Sequence, residues 1–251
     1  GKIGEHNEVR SCPDNVGSIP IHQRALRITA RIQMPEKVTI PISYFQYDAD
    51  YVRPLVSIWM DRANLVQAIF DALLPWQLEI DNVEPITTGK ASEQGIKIKL
   101  PQKRVTLFFG PAACRFSRDN ADWATAGEVI EILRTFLTTL TNASGAELAN
   151  QKTLIALHLQ PRSTTFVKLL KPFLSPEVQG LSQDEVTSGA CVVKWKNRRV
   201  TVDGSAAIAN ALYLKLDREF EPTVSFEDMA IQLKSDEDSA LQLLGVEEDV
   251  S

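Results

Sequence analysis

GIKIKLPQKRVTLFFGPAA at residues 95–113 and GACVVKWKNRRVTVDGSAA at residues 189–207 are the stretches whose reading decides the fold. In the first, Ile96, Ile98 and Leu100 alternate with Lys97 and Lys99. Pro101-Gln102-Lys103 breaks the pattern, and it resumes over 104–109. In the second, 190–195 and 199–202 repeat the layout around Lys196 and Arg198. Period-two alternation interrupted by a short polar turn describes an antiparallel hairpin. Two such hairpins argue for antiparallel sheet and against a doubly wound parallel one.

Outward from the hairpins, further strands are expected at 19–33, 38–45, 55–60, 77–86, 154–159 and 211–216. Pro41 marks an edge or a bulge in the second of these, because proline cannot donate to the ladder. Helices are expected over 65–74, with Asp61 as its cap, and over 125–141. The latter opens on Thr125 and Glu128 and shows Val129, Ile132, Leu133, Phe136, Leu137 and Leu140 on one face. A third starts at Ser163 or Thr164 and meets Pro172, which shortens or kinks it. Two short helices close the chain, 225–233 and 238–244, the last stopped by Gly245.

Strands and helices in runs define an α+β fold, antiparallel sheets with packed helices. The order strand, helix, hairpin, helix occurs twice, which points to an internal duplication forming a pseudo-dimer. LVSIWMD at 55–61 pairs with LIALHLQ at 154–160, and the hairpins share Arg-Val-Thr and a Gly-x-Ala-Ala. The expected organisation is a flexible lead-in (1–18), a first half (19–150), and a second half (151–251) ending in an acidic segment.

Composition narrows the class without naming an activity. The 251 residues are 44% hydrophobic and 24% charged, globular values that exclude fibrous and disordered chains. No apolar run reaches the ~18–20 residues of a membrane span. Cys12, Cys114 and Cys191 are odd in number and widely spaced, unlike a disulfide framework, so reduced thiols and a cytoplasmic setting are expected. Residues 217–251 carry a net charge of −9 and the rest of the chain +4.

Sets of residues that chemistry requires are missing or scattered. His6, His22 and His158 are the only histidines, and His158 falls in a strand pattern where packing is its expected role. Cysteine and histidine spacings match no zinc pattern, and no cofactor is implied. Thr88-Gly89-Lys90 imitates the end of a phosphate loop, but Glu84 stands where that loop needs glycine and would repel phosphate. An enzyme would have to assemble its site from Asp119, Asp122 or Cys114.

Basic residues beside an aromatic are the more suggestive pattern. Lys97 and Lys99 lie in one hairpin; Lys194, Lys196, Arg198 and Arg199 surround Trp195 in the other. Cations neutralise phosphates and an indole stacks on a base, so nucleic-acid binding is one expectation, with the acidic segment as a cover. Half-exposed strands carry charges outward by default, however, and lysine protects sheet edges. The leading expectation is therefore a non-catalytic binding or scaffold protein. It would recognise a protein or peptide through a sheet edge or a groove between helices and sheet, and the duplicated plan is compatible with a homo-oligomer.

Overall fold

The computed structural model describes residues 34–173, 190–195 and 197–249. The expected lead-in, the strand at 19–33, His6, His22, Cys12 and Lys196 lie outside them. The scaffold is a large antiparallel sheet with a few helices, an α+β fold.

Eight strands form the body of the sheet. They are β1 (Glu36–Tyr51), β3 (Gly95–Leu100), β4 (Val105–Phe109), β5 (Ala113–Asp119), β6 (Leu148–Pro161), β7 (Ala190–Trp195), β8 (Arg198–Gly204) and β9 (Leu212–Phe220). The sheet order is β3-β4-β5-β1-β6-β9-β8-β7, every pair antiparallel. β2 (Val83–Ile86) adds outside β3, and β10 (Val246–Glu248) runs parallel to the start of β1. Both expected hairpins form. The first turns through a 3₁₀ segment, Pro101–Lys103, and ends on Arg104 at φ 54°.

Register ties the eight strands into straight rows. Lys99, Thr106, Ser117, Gln46, Leu154, Asp217, Arg199 and Lys194 face one another in succession across the sheet. One residue away, the row Ile98, Leu107, Phe116, Tyr47, Thr153, Arg218 and Arg198 looks to the other face. That second face is the core side: Ile98, Leu107, Phe116 and Tyr47 are buried there.

Helices pack on the core face. α1 (Ser57–Met60) and α2 (Arg62–Leu73) follow β1; α3 (Ala126–Ser144) follows β5. α4 (Phe166–Leu170) runs on as a 3₁₀ turn, Lys171–Phe173, so the helix tightens at Pro172. α5 (Phe226–Leu244) follows β9. Ile132, Leu133, Phe136, Leu137 and Leu140 of α3 are buried as their period requires. Phe136 meets Phe109 of β4 with ring centroids 6.1 Å apart. α2 packs beside α3, and its Leu65, Ile69 and Leu73 join the same core.

Several expectations change. Residues 55–60 are not a strand, since 57–60 form α1; matching 55–61 with 154–160 therefore equates a helix with β6, and Trp59 does not correspond to His158. Pro41 sits at a bulge in an interior strand, where register to β6 shifts between Thr39 and Ile42. The expected 77–86 strand is reduced to β2, and β5 went unanticipated. The helices at 225–233 and 238–244 are one, started by Ser225, whose Oγ accepts from the Asp228 amide at 3.1 Å. Thr125 makes no side-chain cap; Asp122 accepts from the Ala124 amide at 2.9 Å instead. The acidic segment is thus the end of β9, then α5 and β10. It is part of the fold, with Leu233, Ala240, Leu241 and Leu244 buried.

The described residues from Pro35 onward form one compact unit. No helix among the described residues is long and apolar enough to cross a membrane.

Candidate functional site

The basic residues named from sequence are dispersed. Lys97 and Lys99 lie on β3; Lys194 and Arg199 face each other on β7 and β8. Lys99 and Lys194 are the two ends of one row, seven strand spacings apart, or about 34 Å. Between them stand Gln46, Leu154 and Asp217, and most neighbouring cations already have partners. Lys99 pairs with Glu84 at 3.2 Å, Arg115 with Asp48 at 2.6 Å, and Lys215 with Asp217 at 3.1 Å. The open face is a mixed-charge surface rather than a basic track.

Arg198 belongs to the opposite face. Its Nη1 donates to Asp236 of α5 at 2.7 Å, and Arg218 donates to the other oxygen of Asp236 at 2.6 Å. Arg218 also reaches Gln232 of α5. Asp236 therefore ties α5 down to β8 and β9, and the acidic segment holds Arg198 structurally. Trp195 is paired with Arg198 in register.

Asp119, Asp122 and Cys114 are not brought together. Asp119 is exposed at the end of β5, Asp122 caps a turn, and Cys114 is buried on the core face. Burial pushes the Cys114 thiol up to about 12, far from a nucleophilic thiolate. His158 was read as a packing residue, and it does stack near Tyr213, with ring centroids 5.2 Å apart. Its Nδ1 also lies 2.7 Å from Ser205 Oγ. That oxygen accepts from the amides of Ala207 at 3.2 Å and Ile208 at 3.0 Å, so the hydroxyl fastens the turn after β8. Burial lowers the His158 pKa, which favours the neutral imidazole that accepts from the hydroxyl.

Two mainly apolar recesses stand out on the core face of the described residues. One is a slot of about 90 Å³ between α3 and α5, floored by Phe45, Tyr47 and Ile155 and walled by Val129, Leu133 and Met229. Polar bridges span the same interhelical gap. Trp123 Nε1 donates to Glu237 at 2.9 Å, and Arg134 pairs with Glu227 farther along. Burial raises the Glu237 pKa, against the lowering pull of Trp123 and Lys234. An apolar slot this small and this tightly bridged is a packing gap.

The other recess is larger, about 420 Å³, and lies where α5 passes over β7, β8 and β9. Cys191 and Val193 of β7, Val200 and Val202 of β8, and Leu216 of β9 form its floor. Ala240, Leu243 and Leu244 of α5 form one wall, and Phe173 closes one part. Val193 is 44% exposed and Leu243 65%. Exposed apolar groups around a concave floor mark an interaction surface more than isolated ones do. The sequence reading expected recognition through a sheet edge or a groove between helices and sheet, and it named none of these apolar residues for that role. Leu243 lies off the buried face of this amphipathic helix, but so does Ile231, so the sequence did not single it out.

No family model matches the chain, and no curated protein matches it in sequence.

Proposed function

We propose that this chain is a binding protein, and that it takes an apolar segment of a protein partner into the groove between α5 and the β7–β9 face. The observation that carries this is the groove itself: about 420 Å³, apolar in most of its floor and wall, with Val193 and Leu243 open to solvent. Its volume falls in the range of functional pockets, roughly 300–1,000 Å³. Arg198, Arg199, Asp217 and Asp236 border the groove, so its polar margin is of mixed charge.

The same plan supports internal duplication. The strand order reads β3-β4-β5-β1 from one end and β7-β8-β9-β6 from the other, and α3 and α5 follow the corresponding strands β5 and β9. In the second half α4 and the Lys171–Phe173 turn come before the hairpin as α2 does in the first, and the groove lies beside Phe173.

A photo-crosslinking residue in place of Leu243 tests the assignment, with one in place of the comparably exposed Ile231 as control. The expected result is a discrete protein adduct from position 243, absent from 231 and lost when Val193→Asp is added. Adducts of equal yield at both positions, or none at either, would remove the groove from consideration. The nucleic-acid alternative predicts instead that neutralising Lys97, Lys99, Lys194 and Arg199 abolishes salt-sensitive binding of a single-stranded oligonucleotide.

A further inference from the structure

Ser205 opens the turn that joins β8 to β9, and its hydroxyl is fully engaged. The Oγ accepts from the amides of Ala207 at 3.2 Å and Ile208 at 3.0 Å, which uses both of its lone pairs. Its single proton is left for Nδ1 of His158, 2.7 Å away. The imidazole must therefore accept at Nδ1 and carry its own proton on Nε2. A second ring proton would set an N–H against an oxygen with no lone pair to offer, so the imidazolium competes with the closed turn.

The turn in turn holds α4. The Ser205 amide donates to the Ala211 carbonyl at 2.8 Å, which closes the loop. Asn210, at φ 52°, accepts from the Phe166 amide at 3.1 Å through Oδ1 and donates to the Thr164 carbonyl at 3.2 Å through Nδ2. The Phe166 ring lies against Gly204, where a Cβ would come within 3.2 Å of it. A hydroxyl beside the open face is thus tied to the start of a helix on the core face.

We infer that His158 and Ser205 form a pH-sensitive latch: protonation of His158 frees the turn at 205–211 and, through Asn210, the start of α4, while the sheet stays paired. The groups that face the imidazole leave Ser205 as its decisive partner. β1 presents Ile42 opposite and Tyr44 on the diagonal, and β6 itself adds Ala156 and Gln160. β9 presents Tyr213 opposite and Lys215 on the diagonal, and Asp203 of β8 lies beyond Tyr213 in the same row. Lys215 is paired with Asp217, and Asp203 accepts from the Gly204 amide at 2.6 Å. Partial burial lowers the His158 pKa below its ordinary value. The neutral ring and the closed turn therefore prevail above the folded value, and the latch opens as pH falls through it.

An NMR titration of the ¹⁵N-labelled full chain from about pH 8 to about pH 5 tests this. The amides of Ala207, Ile208 and Phe166 should shift with the same midpoint as the His158 ring. Their exchange with solvent, corrected for its intrinsic pH dependence, should be at least ten-fold faster in the protonated form. Amides of β6 and β9 around Leu157 and Leu214, which face each other, should keep their exchange rates. His158→Asn offers an oxygen near the Nδ1 position and takes up no proton in this range, so its turn should stay closed throughout. Ser205→Ala should exchange fast at both ends of the titration. Turn amides that stay unmoved while His158 titrates would overturn the latch. An equal loss of protection in His158→Asn would overturn it too, because acid would then act elsewhere. Should His158→Asn unfold, the parent still decides: turn amides whose midpoint differs from that of the His158 ring overturn the inference.

Discussion

Leu100 and Val193 stand at opposite ends of one row across the sheet, yet Leu100 is wholly buried and Val193 is 44% exposed. The backbone plan around them is the same: an antiparallel hairpin, a third strand beside it, and a 19-residue helix ended by glycine. What differs is what each helix adds to its buried apolar stripe. Phe136 of α3 packs on Phe109, with α2 alongside, whereas Asp236 of α5 grips Arg198 and Arg218. Apolar contact favours every neighbour that excludes water, so the first end closes up. At the second end, where α5 also buries Leu233, Ala240, Leu241 and Leu244, the described residues leave Val193 on the adjoining strand face 44% exposed.

The comparison breaks most visibly at its filled end. Ile69→Ala removes a fully buried side chain of α2 and should cost about 2–5 kcal/mol in urea denaturation. A loss below about 1 kcal/mol would mean that α2 is not what closes the β3–β5 face. Asp236→Ala tests the other end, where it strands Arg218, whose side chain is 13% exposed, beside Arg198. The expected loss is about 3 kcal/mol, the low end for breaking a buried pair, since Arg198 retains contact with water. High salt should narrow the gap between this variant and its parent and leave the Ile69→Ala gap alone.

How far the sequence foretold this contrast depends on which residues point inward. α3 was legible because its five buried residues follow the helical period without interruption. α5 was split in two because Asp236 and Glu237 interrupt that period; both face inward, each matched by groups distant in sequence. β5 was lost for the same reason, since Arg118 occupies its third inward position after Cys114 and Phe116. The short run 55–60 is apolar in most of its positions, and such runs do not distinguish strand from helix. The basic hairpins were correctly placed as hairpins, but whether their cations were paired depended on Glu84 and Asp236, which only the fold brings near. The groove was beyond reach because it is a property of what α5 fails to cover.

Glu237 sharpens the comparison through pH. One hundred residues before it, α3 has the buried Leu137; here a carboxyl is buried and its pKa is raised by burial. A carboxyl whose pKa is higher in the folded protein than in the unfolded chain binds its proton more readily when folded. Its contribution is therefore greatest in acid and is lost as pH rises through the folded value. Glu237→Gln keeps an acceptor for Trp123 and cannot ionise, so it should be more stable than the parent at neutral pH. That advantage should disappear below the ordinary glutamate range. A constant difference across the titration would show that ionisation of Glu237 does not weigh on the fold.

The smallest expected effect separates binding from folding. Leu243→Ala should change stability by no more than about 0.5 kcal/mol, because a side chain that is 65% exposed gives up little by its removal. Its neighbour Leu244 is buried, and Leu244→Ala should cost about 2–5 kcal/mol in the same assay. If the two leucines proved equally costly, Leu243 would be core and the groove shallower than its walls suggest. If Leu243 is free for the fold, an effect of its removal on partner binding cannot be attributed to unfolding. The open end of the sheet is where a large apolar side chain contributes least to the isolated chain and has the most left to contribute to a complex.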